Sequence, residues 1–245
     1  MTVLTARTHH TYATNYIPSW DQTARSPTPP LKPIYYVGVK GDSKVSGRQL
    51  PTSLLNAMLL MSDGNMRPHW TPAVFNHLLE RLEAGDDISP PDYTGAQASI
   101  QLAMTHVGVR GRRMLIFGSI APWAEAIAHH NHVDSTITVD YNPPVSTDSR
   151  LEVVLMHECL NSLSTFSVIA SFSSIEHDGQ GRYGDPLDPD GDLAAMNEAW
   201  IKLTPGGVLL LNVPVGHDDG FYWYSQRIYG PARLPLLLRG WRSEE

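Results

Sequence analysis

Five stretches of the chain are apolar with little or no polar alternation: residues 114–117, 136–139, 151–156, 166–172 and 208–213. Continuous apolar runs of this length, rich in Val, Ile, Leu and Phe, are the pattern of strands covered on both faces. Helix signals lie between them. Pro122 suits a first helical turn, where its missing N–H costs nothing, and Ala124-Glu125-Ala126-Ile127-Ala128 propagates the helix. Asp192 is expected to cap a helix over 193–203 that stops at Thr204-Pro205-Gly206-Gly207. Alternation of buried strands and helices predicts an α/β fold with a mostly parallel sheet flanked by helices.

Upstream, Thr71-Pro72 reads as an N-cap and first turn, opening a helix through Val74, Leu78, Leu79 and Leu82 to Gly85. A second helix over 95–107 leads through Gly108 and Gly111 into the first strand. Residues 34–39 read as a short strand and 51–61 as a helix. Residues 1–33 are rich in Pro, Ser and Thr and bury too little apolar surface to offset their ordering entropy. The expected division is a disordered tail over 1–33, a helical N-terminal extension over 34–110 and an α/β domain over 111–245.

The 245 residues suffice for one substantial core. A net charge of −7 argues against a nucleic-acid partner, since that affinity comes from Lys and Arg neutralising phosphates. The single cysteine, Cys159, allows no intrachain disulfide and points to a reducing, cytoplasmic setting. The Thr-, Ser- and Arg-bearing start over 1–25, with Asp21 its one acid, leaves organelle targeting open. No apolar run approaches the roughly 18 residues of a membrane span. His157 and Cys159 are too few for a zinc site and read as part of a half-buried strand. The sequence defines no oligomeric state.

Strand, turn, helix and strand over 114–140 make one βαβ unit that ends in an acid. Asp140 lies 22 positions beyond Gly118. In nucleotide-binding units an acid about 20 residues past the glycine turn holds ribose hydroxyls, and the helix start offers free N–H groups. The turn is unusual in carrying Ile120 and Pro122. A second polar group, Ser173-Ser174-Ile175-Glu176-His177-Asp178-Gly179, closes the fourth strand, on the sheet edge where ligands of open α/β sheets bind.

The span from Leu115 to Val213 resembles a class I S-adenosylmethionine-dependent methyltransferase core, a relative of the Rossmann fold. The resemblance lies in the Gly118 turn, the strand ending in Asp140, and Ile175-Glu176-His177 followed by Leu203-Thr204-Pro205-Gly206-Gly207. The strings around 118–125, 171–179, 181–192 and 227–235 are similar to the Caenorhabditis protein of unknown function family. The resemblance implies S-adenosylmethionine as cofactor. Gly118, Ser119 and Ser173 would line it, Asp140 would bind its ribose, and Glu176 and His177 would face the transferred methyl group. Ile116 stands where the resemblance expects an acid and Ile120 where it expects a second glycine. The usual sixth and seventh strands are expected to be missing, or the chain to be a fragment.

A sulfonium-borne methyl group is already activated, so positioning dominates its transfer. His177 suits a general base for a hydroxyl acceptor; it equally suits a hydrogen-bonded structural histidine at a strand end. Glu176 could orient it or bind the acceptor. Arg182, Tyr183, Arg227 and Tyr229 are the expected substrate contacts, the arginines through anion pairing, although pairing of Arg182, Arg227 and Arg233 with the aspartates of 185–192 explains them as well. Asp185, Asp188, Asp190 and Asp192 could bind a hard cation or form a rigid solvated lid; no metal is assigned. Two functions follow: a methyltransferase for a small molecule, or a catalytically silent methyltransferase-like binding domain.

Overall fold

The computed structural model describes residues 2–5, 67–90, 93, 95–222 and 225–244. In chain order its strands are β1 (Thr2–Thr5), β2 (His69–Trp70), β3 (Arg113–Phe117), β4 (Ser135–Asp140), β5 (Val145–Ser146), β6 (Glu152–Leu155), β7 (Phe166–Phe172), β8 (Leu203–Asn212), β9 (Gly220–Tyr222), β10 (Gln226–Ile228) and β11 (Arg242–Glu244). The helices are α1 (Pro72–Glu83), α2 (Ala96–Val107), α3 (Trp123–His130), α4 (Met156–Asn161), α5 (Gly191–Lys202) and α6 (Arg233–Leu237).

Five parallel strands form the centre in the order β6-β4-β3-β7-β8. The parallel part begins in the middle at β3, winds outward through β4 and β6, then returns to the other side of β3. Strand order therefore reverses between β3 and β7, which opens a crevice at their carboxyl ends. Among the described residues, no further parallel strand lies beyond β8. Two short strands joined by antiparallel pairing, β1 against β8 and β11 against β1, take the edge. The expected disordered tail is corrected at Thr2–Thr5, because the β8 edge offers unpaired backbone groups that an extended segment satisfies. The remainder of that tail, with the strand expected at 34–39 and the helix at 51–61, lies outside the described residues.

Burial on both faces explains the apolar runs. Met114 and Ile116 point into one core with residues of α1, α2 and α3; Leu115 and Phe117 point into a second with α4, α5 and α6. Residues 67–107 thus share a core with the sheet. Thr71 caps α1 as expected, accepting from Val74 N–H at 3.3 Å. Two local expectations change. His157 and Cys159 sit on α4, since the third strand ends at Leu155. The helix after the long loop begins at Gly191, so Asp192 lies inside its first turn, buried rather than capping.

Candidate functional site

Gly118 leaves β3 in the left-handed region, φ 63°, and its N–H donates to the Val139 carbonyl at 2.8 Å. A Cβ there would lie 2.2 Å from Ser174 Oγ and 3.8 Å from Asp140 Oδ2, so glycine is required both for the turn and for the chain lying over it. Asp140, half-buried at the end of β4, accepts from Asn142 N–H at 2.8 Å and from the backbone N–H groups of Ser119 and Tyr141. Burial raises its carboxyl above the ordinary range against those bonds. Gly118, Ser119 and Asp140 are thus brought together at the crevice between β3, β4 and β7.

The segment after β7 completes the cluster. Ser173 adopts φ 54°, an uncommon value for a residue with a side chain. Its hydroxyl receives the Tyr93 hydroxyl at 2.9 Å and donates to Glu176 Oε1. Glu176 is wholly buried, Oε2 has no partner, and burial pushes its carboxyl up to about 7. His177 is lowered by burial and meets the Ser225 carbonyl through Nδ1. That contact assigns the proton to Nδ1 and leaves Nε2, 3.8 Å from Glu176 Oε1, as a lone-pair site. Tyr183 packs edge-on against the His177 ring at 5.4 Å, and exposed Arg182 lies over the Tyr183 ring. Beside Ser173, a small cleft is walled by Tyr93, Ile100, Trp123, Phe172 and Asn212.

Two of the expected substrate residues are turned inward, a correction to their assignment. Arg227 is buried and donates to the carbonyls of Glu176, Asp178, Asp188 and Pro189. Tyr229 has no exposed surface and donates to Asp192 Oδ2 at 3.1 Å. Their physical task is to hold the 181–191 loop against the β9–β10 hairpin. The same loop consumes its aspartates. Asp185 accepts from the N–H groups of Gly181 and Tyr183, Asp188 from that of Asp190, and Asp190 and Asp192 pair with Arg233. Among the described residues, no three His, Cys, Asp or Glu side chains converge as a metal site.

The sequence reading passed over Glu125, Thr138, Tyr93 and Trp70. Glu125 is buried beneath the Gly118 turn, bonded to Thr138 and Ser119, with its carboxyl pushed up to about 7 by burial. An acid inside the apolar run 124–128 was the available signal. Trp70 donates Nε1–H to the Ile120 carbonyl at 3.1 Å and so braces the same turn from the N-terminal side.

Strand order, a glycine turn after the first strand and an acid after the second define a Rossmann-like α/β protein, a mostly parallel sheet flanked by helices. The chain belongs to the family described as Caenorhabditis protein of unknown function, DUF268, whose model matches residues 111–243. Among solved structures it is similar to Burkholderia thailandensis 1,6-didemethyltoxoflavin-N1-methyltransferase with bound 1,6-didemethyltoxoflavin and S-adenosylhomocysteine. The TM-score is 0.47 at 17% identity, covering 68% of this chain and 75% of that one. No curated protein matches the sequence. No described helix is long and apolar enough to cross a membrane.

Proposed function

We propose that the protein is an S-adenosylmethionine-dependent methyltransferase acting on a small molecule. The observation that carries this reading is the approach of Asp140 Oδ2 to the Gly118 turn at the point where strand order reverses. The residues fit the cofactor in kind. Asp140 is half-buried and still reachable by ribose hydroxyls, while the turn before α3 has room for no side chain at Gly118. Bound there, S-adenosylmethionine would supply an electrophilic methyl group on a sulfonium. The chain's own part is then placement and proton removal: His177 Nε2 would take a proton from an acceptor hydroxyl, with Glu176 and Ser173 fixing the ring's surroundings. Arg182 and Tyr183, at the rim, are the remaining substrate contacts.

The catalytically silent alternative also has an observation behind it. Ser174 lies directly on the Gly118 turn, and Asp140 already accepts bonds from its neighbours' backbone. Calorimetric titration with S-adenosylhomocysteine separates the two. Binding by the full chain, abolished in Asp140→Ala and retained in His177→Ala, is the expected result; a methyl-transfer screen of small hydroxyl compounds then shows turnover lost in His177→Ala. A folded chain that binds neither S-adenosylmethionine nor S-adenosylhomocysteine overturns the enzyme reading.

A further inference from the structure

Glu125 lies on the first turn of α3, in a run otherwise made of Trp, Ala and Ile, and is buried. Its Oε1 accepts from Thr138 Oγ1 at 2.7 Å, and its Oε2 is 3.2 Å from Ser119 Oγ. Ser119 Oγ in turn lies 2.8 Å from the Ala121 carbonyl, which can only accept. A serine hydroxyl has one proton. Given to Ala121 at the shorter of the two contacts, that proton leaves Ser119 Oγ to accept from Glu125, and a neutral carboxyl supplies the other. Every group is then satisfied in one direction: Thr138 to Glu125, Glu125 to Ser119, Ser119 to Ala121.

We propose that Glu125 is a positioning residue, held as the neutral acid, that clamps the Gly118–Ala121 turn to β4. Thr138 stands two residues before Asp140, and the Ser119 N–H also reaches the Asp140 carboxyl. One buried side chain therefore sets the spacing between the turn and the acid that together would hold the cofactor. Ile116 leaves β3 without an acid of its own near this turn, and α3, packed on the face that Ile116 points into, provides one. The link to cofactor affinity rests on the methyltransferase reading; the clamp itself does not.

The test uses the full chain as wild type, Glu125→Gln, Glu125→Ala and Thr138→Val. Hydrogen exchange is followed at amides of 118–121 and of β7, S-adenosylhomocysteine affinity by calorimetry, and the carboxyl protonation state by infrared difference spectroscopy of wild type against Glu125→Gln in mildly acidic buffer. Glutamine reproduces the acceptor and donor of the neutral acid, so it should keep turn protection and affinity within about twofold. Glu125→Ala and Thr138→Val should speed exchange in the turn and weaken affinity by roughly tenfold each, with β7 unchanged. A protonated-carboxyl band should disappear in Glu125→Gln. Wild-type exchange in both Glu125→Ala and Thr138→Val, a glutamine variant as loose as the alanine one, or an ionised band would overturn the clamp. If Glu125→Ala does not fold, Thr138→Val carries the comparison. Absent binding by wild type would fell the cofactor reading, and the exchange and infrared results would still decide the clamp.

Discussion

Glu176 places one carboxyl oxygen against Ser173 and leaves the other without a partner in a place closed to water. An ionised carboxylate is poorly tolerated there, which is why its titration moves from the ordinary 4.5 to about 7. The sign for stability follows. Between about 4.5 and 7 the folded chain holds a proton that the unfolded chain has released, so stability falls as pH rises through that window and is level above it. The span corresponds to something on the order of 3 kcal/mol for this one group. Glu176→Gln should therefore flatten the dependence by about 1.4 kcal/mol per pH unit, read as urea-unfolding free energies across the window. Glu125 and Asp140 shift the same way and keep part of the slope in that variant. An unchanged slope would show that Glu176 is ionised in the folded chain. Glu176 and His177 were legible in the sequence as a polar pair closing a strand. Their protonation was not, because it depends on groups brought from residues 93, 173 and 225.

The loop over 181–191 shows how one element is shaped by contacts remote in sequence. It returns so tightly that a Cβ on Gly191 would lie 2.6 Å from Gly179 Cα, and Gly179 itself sits at φ 84°. Backbone meets backbone, with no flexible side chain to yield. Gly191→Ala should cost about 3 kcal/mol in denaturant unfolding, near the upper end for overpacking. Gly184→Ala, with open space around it and only a positive φ to strain, should cost about 1 kcal/mol. Equal costs would show that the close approach carries no energy. Asp192 illustrates the limit of local reading. Its position before an apolar run is that of an N-cap, yet Arg227, Tyr229 and Arg233 draw it inward to form a buried ionic cluster.

At the scale of the molecule, the segment ahead of the α/β unit is part of the same body. Trp70 has no exposed surface and packs in the core that joins α1, α2 and α3 to one face of the sheet. β2 pairs in parallel with β5, beyond β4, so the first described helices are anchored on both sides of the Gly118 turn. Trp70→Ala should lower unfolding stability by about 3–5 kcal/mol and release the Ile120 carbonyl. A shared core also requires a single transition by near-ultraviolet dichroism and by far-ultraviolet dichroism. Two separated transitions would mean that residues 67–107 fold apart from the sheet.

The sequence by itself determined the five buried strands, two of the helices between them, the glycine turn and the acid 22 positions on, because burial on two faces and turn chemistry are written in local residue types. The parallel α/β class follows from their alternation. Tertiary structure alone decided which charged side chains face the crevice and which are consumed inside. Arg227 and Tyr229 carry the chemistry of substrate contacts, but carbonyls and a carboxylate supplied from residues 176–192 claim them first. Glu125 lies in an apolar helix run, and only the arrival of Thr138 and Ser119 gives its carboxyl partners. A buried polar group must find its bonds wherever the fold brings them, and that pairing is set by distances between segments that no local pattern encodes.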